Sequence, residues 1–175
     1  VRPPSRSVVD GLRMHDLGAV DFKRAFEQHA AFCRVLNKDF GYDLETLGAD
    51  EAHPDSVFVE DPGVVIESTL VITRLRNPKR QGEEAALEVA LRPQYHDVRR
   101  IIHPGFIEGG DVLVTDGELW VGISARTNID GAIQLTAVAK EHKYAAHWFG
   151  IPQDYLHLKG GASFHRGHAR RRQFI

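Results

Sequence analysis

Leu113-Val114-Thr115-Asp116-Gly117-Glu118-Leu119-Trp120-Val121 consists of two short apolar runs joined by an Asp-Gly pair. Asp-Gly between alternating apolar residues is a strong local signal for a tight hairpin, because the turn needs positive φ and glycine supplies it. Downstream, Asn128 can cap a helix that runs towards Lys143, with Ala132, Leu135, Val138 and Ala139 as its inner face, and a further strand is expected after it. The same order occurs upstream. Val65–Ile66 and Leu70–Ile72 flank Glu67-Ser68-Thr69, a helix is predicted from about Gly82 to Leu91 before Pro93, and Val98–Ile102 reads as a strand. The chain is therefore predicted to be α/β, built from strand-strand-helix-strand repeats of low mutual identity.

Ahead of these repeats, Asp21 is a good N-cap for an amphipathic helix that places Phe22, Phe26, His29, Cys33 and Leu36 on one face, with Gly41 as its stop. Tyr42–Leu47 and Ser56–Glu60 read as further strands. At 175 residues, 42% apolar and 26% charged, the composition is that of a globular protein with one core. The formal charge of −2 gives no electrostatic case for nucleic acid or an anionic membrane. No run is long and apolar enough to span a bilayer. A single cysteine, Cys33, excludes an internal disulfide and fits a reducing, cytoplasmic setting.

Five segments carry chemistry. Pro54-Asp55-Ser56-Val57-Phe58-Val59-Glu60-Asp61-Pro62 brackets an apolar run with Asp55, Glu60 and Asp61, an arrangement that suits a cation if the segment is buried and suits water if it is not. Glu108-Gly109-Gly110-Asp111 lets the backbone turn tightly so that its carboxylates can face a pocket, and it also fits a plain Gly-Gly loop. Ser124-Ala125-Arg126-Thr127-Asn128 places Arg126 at a strand-to-helix junction, where it can take a carboxylate bidentately. Arg80, just before the second helix, can do the same or remain solvated. In Leu156-His157-Leu158-Lys159 a strand would turn His157 away from the two leucines, to a structural or a catalytic surface.

The order of Leu12, PDSVFVEDP, Arg80, EGGD, SARTN and LHLK resembles the dimethylarginine dimethylaminohydrolase family of the guanidine-modifying pentein superfamily, over the chain up to about Ser163. The resemblance implies a five-fold α/β propeller, of which this chain would supply about three units, and the hydrolysis of an N-methylated arginine to citrulline and dimethylamine. It implies that Glu60, Asp61 and Glu108 face the guanidinium, that Arg80 and Arg126 hold the substrate carboxylate, and that Asp55 and the Leu12 carbonyl hold the ammonium. It implies His157 as general acid and base, Glu108 as the group that orients the guanidinium, and no metal or cofactor. FVED is similar to this enzyme rather than to arginine deiminase, where an arginine usually precedes the aspartate.

The resemblance has a limit. The family nucleophile is a cysteine near the C-terminus, and this chain has none after Cys33. Cys33 is expected on the apolar face of the first helix as a small hydrophobe. The expectation is a domain over residues 1–163, a basic tail over 164–175 unlike the family, C-terminal truncation, and a chain that is inactive alone. The alternatives are a non-catalytic module for guanidino amino acids and an arginine deiminase-like activity. A small-molecule partner, no nucleic acid, no membrane and a possible homo-oligomer complete the expectation. His165 and His168 suggest a metal only weakly, lacking a third ligand.

Overall fold

The computed structural model describes the backbone of residues 1–165 and 168–171, and the chain divides into two compact units, Val1–Val59 and Glu60–Ile175. In the first unit, α1 (Phe22–Lys38) starts as its sequence signals: the Asp21 carboxylate accepts from the Arg24 N–H at 3.0 Å. Gly41, at φ +72°, follows its end. No residue of α1 is buried, and Phe26, Phe32 and Val35 are exposed. Charge ties the rest of this unit together. Arg2 bonds Asp50 at 3.1 Å, Asp50 meets His53 at 2.8 Å, and Glu51 accepts the Arg6 and Ser7 N–H groups at 3.0 Å each.

Two expected strands are absent. Tyr42–Leu47 carries no strand assignment. Around Pro54–Val59 the chain makes turns, with the Ser56 N–H donating to the His53 carbonyl and the Phe58 N–H to the Asp55 carbonyl at 3.0 Å each. The outcome inverts the sequence reading: Asp55, Ser56 and Asp61 are buried, whereas Phe58 is 56% exposed. Acids placed to accept backbone N–H groups are satisfied by turns, and no ladder is needed.

The second unit contains both repeats. In the first, β1 (Gly63–Ile66) pairs antiparallel with β2 (Thr69–Ile72), α2 (Glu83–Leu91) follows, and β3 (Asp97–Arg100) returns parallel to β2. In the second, β4 (Val112–Val114) pairs antiparallel with β5 (Glu118–Ile123), α3 (Ile129–Glu141) follows, and β6 (Ala145–Gly150) returns parallel to β5. Strand order and direction are the same in both sheets. The two hairpins reach their turns differently, with Gly117 at φ +82° in one and Glu67 at φ +52° in the other.

One core joins the repeats. Val64, Ile66 and Val71 of the first sheet pack with Val112, Leu119 and Val121 of the second, with Ile101 and Ile107 between them and Ala132, Leu135 and Ala139 of α3 across. Each fully buried Leu or Ile there contributes about 1.5–3 kcal/mol from apolar burial. Asn128 caps α3 by accepting from the Gly131 N–H at 3.0 Å, accepts from the Phe106 N–H at 2.8 Å, and donates to the Pro104 carbonyl at 2.9 Å. The capping residue thus also fixes the loop that leads into Glu108.

At the C-terminal side, α4 (Leu158–Gly161) is followed by an antiparallel pair, β7 (Ala162–His165) and β8 (His168–Arg171). This pair includes part of the stretch, 164–175, expected to be a basic tail. The two complete repeats and this hairpin are what the described residues contain of the repeating pattern. The side chains of His165 and His168, weighed above as metal ligands, lie outside the described residues.

Candidate active site

Asp61 follows the turns of the acid segment and is buried. Its carbonyl accepts from the Thr73 hydroxyl at 2.8 Å and the Gly109 N–H at 3.0 Å, and one carboxylate oxygen accepts from the Gly110 N–H at 3.0 Å. The two glycines have separate steric reasons. A Cβ on Gly109 would lie 2.0 Å from the Glu60 carbonyl oxygen, and a Cβ on Gly110 would lie 2.7 Å from the His157 ring. The loop therefore brings Glu60, Asp61 and His157 against the segment that carries Glu108 and Asp111, and only glycine permits that approach.

Arg80 is buried among acids. Nε and Nη2 donate to the two oxygens of Glu83 at 2.9 Å each, and Nη1 donates to Asp61 at 3.0 Å and Glu108 at 3.3 Å. Burial opposes the guanidinium charge, yet the bonds to Glu83 and the charges of Glu83, Asp61 and Glu108 hold its pKa above the ordinary value. The expected partner of Arg80 is a substrate carboxylate, and in this structure its guanidinium meets protein carboxylates. Its four side-chain hydrogen bonds among the described residues go to protein carboxylates, and Glu83, which carries no signal of its own in the sequence, takes two of them. The available signal was the three-residue spacing of Arg80 and Glu83 at the start of α2.

Glu108 is 1% exposed. Burial pushes its carboxyl up to about 7, with Asp61 acting in the same sense and Arg80, Arg126 and His157 acting against it. Oε2 is approached by Arg80, by the Arg126 Nε at 3.4 Å and by the His157 Nε2 at 3.7 Å, while Oε1 is buried with no hydrogen-bond partner. The Glu108 N–H donates to the Thr127 hydroxyl at 3.1 Å. Arg126 is half-buried, and its N–H donates to the Ser124 Oγ at 2.9 Å.

His157 is not on a strand. It precedes α4 as the N-cap, so Leu158 turns inwards at 2% exposure while Leu156 stays 41% exposed, and the two leucines do not share a face. The ring still reaches the acids, with Nε2 3.9 Å from Asp61 and Nδ1 3.5 Å from Asp111. Burial lowers its pKa, but Asp111, Asp61 and Glu108 together raise it above the ordinary histidine value. Asp61, Glu108 and His157 each offer a ligand atom within 4.8 Å of the others, in principle a cation site, but Arg80 already brings a positive charge to both carboxylates.

The remaining expected residues are placed as follows. Glu60 is exposed and ion-paired to Lys159. Leu12 and Asp55 belong to the first unit, where the Leu12 N–H donates to both oxygens of Asp55 at 3.1 Å. Cys33 also lies in that unit, its Sγ 3.6 Å from the His29 Nδ1.

Comparison with known proteins places this geometry. Residues 51–157 match the model of the arginine deiminase family. The chain is 38% identical over 164 residues to N(G),N(G)-dimethylarginine dimethylaminohydrolase of Pseudomonas aeruginosa, covering 93% of this chain and 64% of that protein. It is 36% identical over 165 residues to the Streptomyces coelicolor protein of the same name, covering 93% and 63%. A structure of the Pseudomonas enzyme, a cysteine-to-serine mutant complexed with citrulline, has a TM-score of 0.89 at 38% identity over 93% of this chain and 64% of that one. The N-terminal domain of ArgZ, a cyanobacterial arginine dihydrolase, shares the fold at a TM-score of 0.75 and 21% identity, over 87% and 57%. The chain thus has an α/β fold of the pentein kind and spans less than two thirds of the length of these relatives.

Proposed function

Because this chain belongs to the arginine deiminase family, we propose that its acid-rich cluster binds the guanidinium of an N-methylated arginine. The observation that carries this reading is Glu108, a fully buried carboxylate whose Oε1 has no partner among the described residues. A buried acceptor left open is costly, and a planar guanidinium supplies paired donors for it. Charge supports the same ligand. Asp61, Glu83, Glu108 and Asp111 face the guanidiniums of Arg80 and Arg126 and the imidazole of His157, so with Glu108 ionised and His157 protonated the cluster holds one more negative than positive charge. A cation arriving at Glu108 replaces the proton that burial would otherwise keep there.

The residues sort by chemistry. Glu108 and Asp61 take the guanidinium, with exposed Glu60 at the rim, and the half-buried Arg126 holds the substrate carboxylate. Arg80 assists once its bonds to acids are redistributed by the ligand. For Asp55 and Leu12, in the first unit, a role with the ammonium rests on the resemblance alone. In the reaction that the resemblance implies, a cysteine thiolate attacks the guanidinium carbon, and dimethylamine leaves with a proton from His157. His157 then takes a proton from the water that releases citrulline and the thiol. The nearby acids that raise the His157 pKa favour its protonated form, as the first step requires.

The 175-residue chain itself carries one thiol, Cys33, on α1 beside His29. That observation favours a second reading for the chain alone: it binds guanidino amino acids without turning them over. Calorimetry with asymmetric dimethylarginine and with arginine, paired with a citrulline assay, tests both. Heat of binding without citrulline, stronger for the methylated ligand, is the expected result. Equal binding of arginine points to a deiminase-like preference. No heat with either ligand overturns the binding-site reading, and citrulline formation overturns the binding-only reading.

A further inference from the structure

Asp111 is wholly buried, yet its carboxylate is crowded with donors. The Ser124 hydroxyl donates to Oδ2 at 2.6 Å and the Leu158 N–H donates to Oδ1 at 3.1 Å. The Thr127 hydroxyl also favours the charged form of this carboxylate. Burial works against the negative charge, but these donors and His157 hold the Asp111 pKa below the usual carboxylate value. The result is a fixed anion inside the fold.

Its neighbour is the imidazole of His157, whose Nδ1 is buried 3.5 Å from Asp111 Oδ1 and makes no hydrogen bond to any described residue. The Leu158 N–H that bonds Oδ1 belongs to the residue after His157, so the same oxygen fixes both the backbone and the ring. The ring packs against Gly110, 2.7 Å from where a Cβ there would stand. The other ring nitrogen, Nε2, points at Glu108 and Asp61, at 3.7 and 3.9 Å.

We infer that Asp111, braced by Ser124 and Thr127, is the positioning residue that holds the proton of neutral His157 on Nδ1 and leaves Nε2 as the nitrogen that works in the guanidinium site. An anion on the Nδ1 side selects the Nδ1–H tautomer, as a carboxylate does for any histidine it orients. Nothing else in the cluster competes for Nδ1. Asp61 and Glu108 face Nε2, Arg80 and Arg126 bind those two acids from other sides, and Lys159 is paired with Glu60. Thr127 adjoins both halves: its hydroxyl accepts from the Glu108 N–H and favours the charged form of Asp111. The inference deepens the proposed function and rests on it for the purpose of Nε2, whereas the tautomer itself does not.

Nitrogen-15 NMR of the imidazoles in the full 175-residue chain tests it, with the His157 signals assigned by their loss in His157→Gln. Above the titration, wild type is expected to show a protonated-type Nδ1 and an unprotonated-type Nε2. Asp111→Asn is expected to lose that preference and to lower the His157 titration midpoint. Ser124→Ala, which keeps the carboxylate and removes only its brace, is expected to move both readouts the same way by less, and it serves if Asp111→Asn does not fold. An Nε2–H tautomer in wild type, or tautomer and midpoint unmoved in Ser124→Ala together with Asp111→Asn, overturns the inference. Calorimetry with dimethylarginine on the same wild-type sample separates the two ideas. Binding with the wrong tautomer sinks only the role of Asp111, and the expected tautomer without binding sinks only the ligand.

Discussion

The two repeats of the second unit share a strand order and strand directions, but they hold their helices differently. In the second repeat the buried residues of α3 are Gly131, Ala132, Leu135 and Ala139, and Asn128 caps its start. In the first repeat the buried residues of α2 are Glu83, Leu87 and Glu88, and its N-cap, Gly82, makes no side-chain bond. Glu88 is ion-paired to both Arg92 and Arg100, and Glu83 takes two bonds from Arg80. One helix is held by apolar packing and the other by charge. The topology accepts both, and the charged version is the one that delivers Arg80 to the cluster around Glu108.

Substitutions can break this contrast. The largest loss is expected from Arg80→Met, which leaves Glu83, Asp61 and Glu108 without their shared cation inside the fold and should cost about 3–5 kcal/mol in urea unfolding. A loss below about 1 kcal/mol would mean that the acids are satisfied without Arg80. Leu135→Ala should cost about 2–5 kcal/mol by leaving a cavity under α3. Leu87→Ala should cost less, because α2 depends less on apolar burial, and equal losses would erase the distinction between the helices.

An effect of slope comes next. Burial raises Glu108 from 4.5 to about 7, so across that window the folded chain keeps a proton that the unfolded chain has lost. Stability should therefore fall as pH rises through the window, and Glu108→Gln should flatten the fall. His157, raised from 6.5, adds a loss above that value in both proteins, whereas Asp111, lowered from 3.8, contributes stability that disappears only in acid. The smallest effect is expected for Asn128→Ala, about 1 kcal/mol by thermal melting, from the lost cap and loop bonds of the second repeat.

The second repeat was the easier one to read. Asp116-Gly117 and the apolar spacing of α3 are local signals, and local sterics decide them. In the acid segment Val57-Phe58-Val59 predicts a strand, whereas the donors that meet Asp55 and Asp61 come from residues distant in sequence. Around His157 the Leu-His-Leu alternation predicts a strand, because a four-residue helix has too little periodicity to show. Glu83 was hidden for a related reason: a buried glutamate looks like a solvated one until its arginine is placed. The grouping of Asp61, Glu108 and His157 depended on approaches that only Gly109 and Gly110 allow, and sequence offered the glycines without saying what they approach.

The proposed role of Glu108 as a buried, open carboxylate for a guanidinium is tested most directly by a carbon-13 titration of its carboxyl with and without dimethylarginine. Without ligand the midpoint is expected near the raised value of about 7, and saturating dimethylarginine is expected to drive it down as the cation replaces the proton. A Glu108 midpoint in the ordinary carboxylate range, or one that does not move when dimethylarginine binds, would contradict the account.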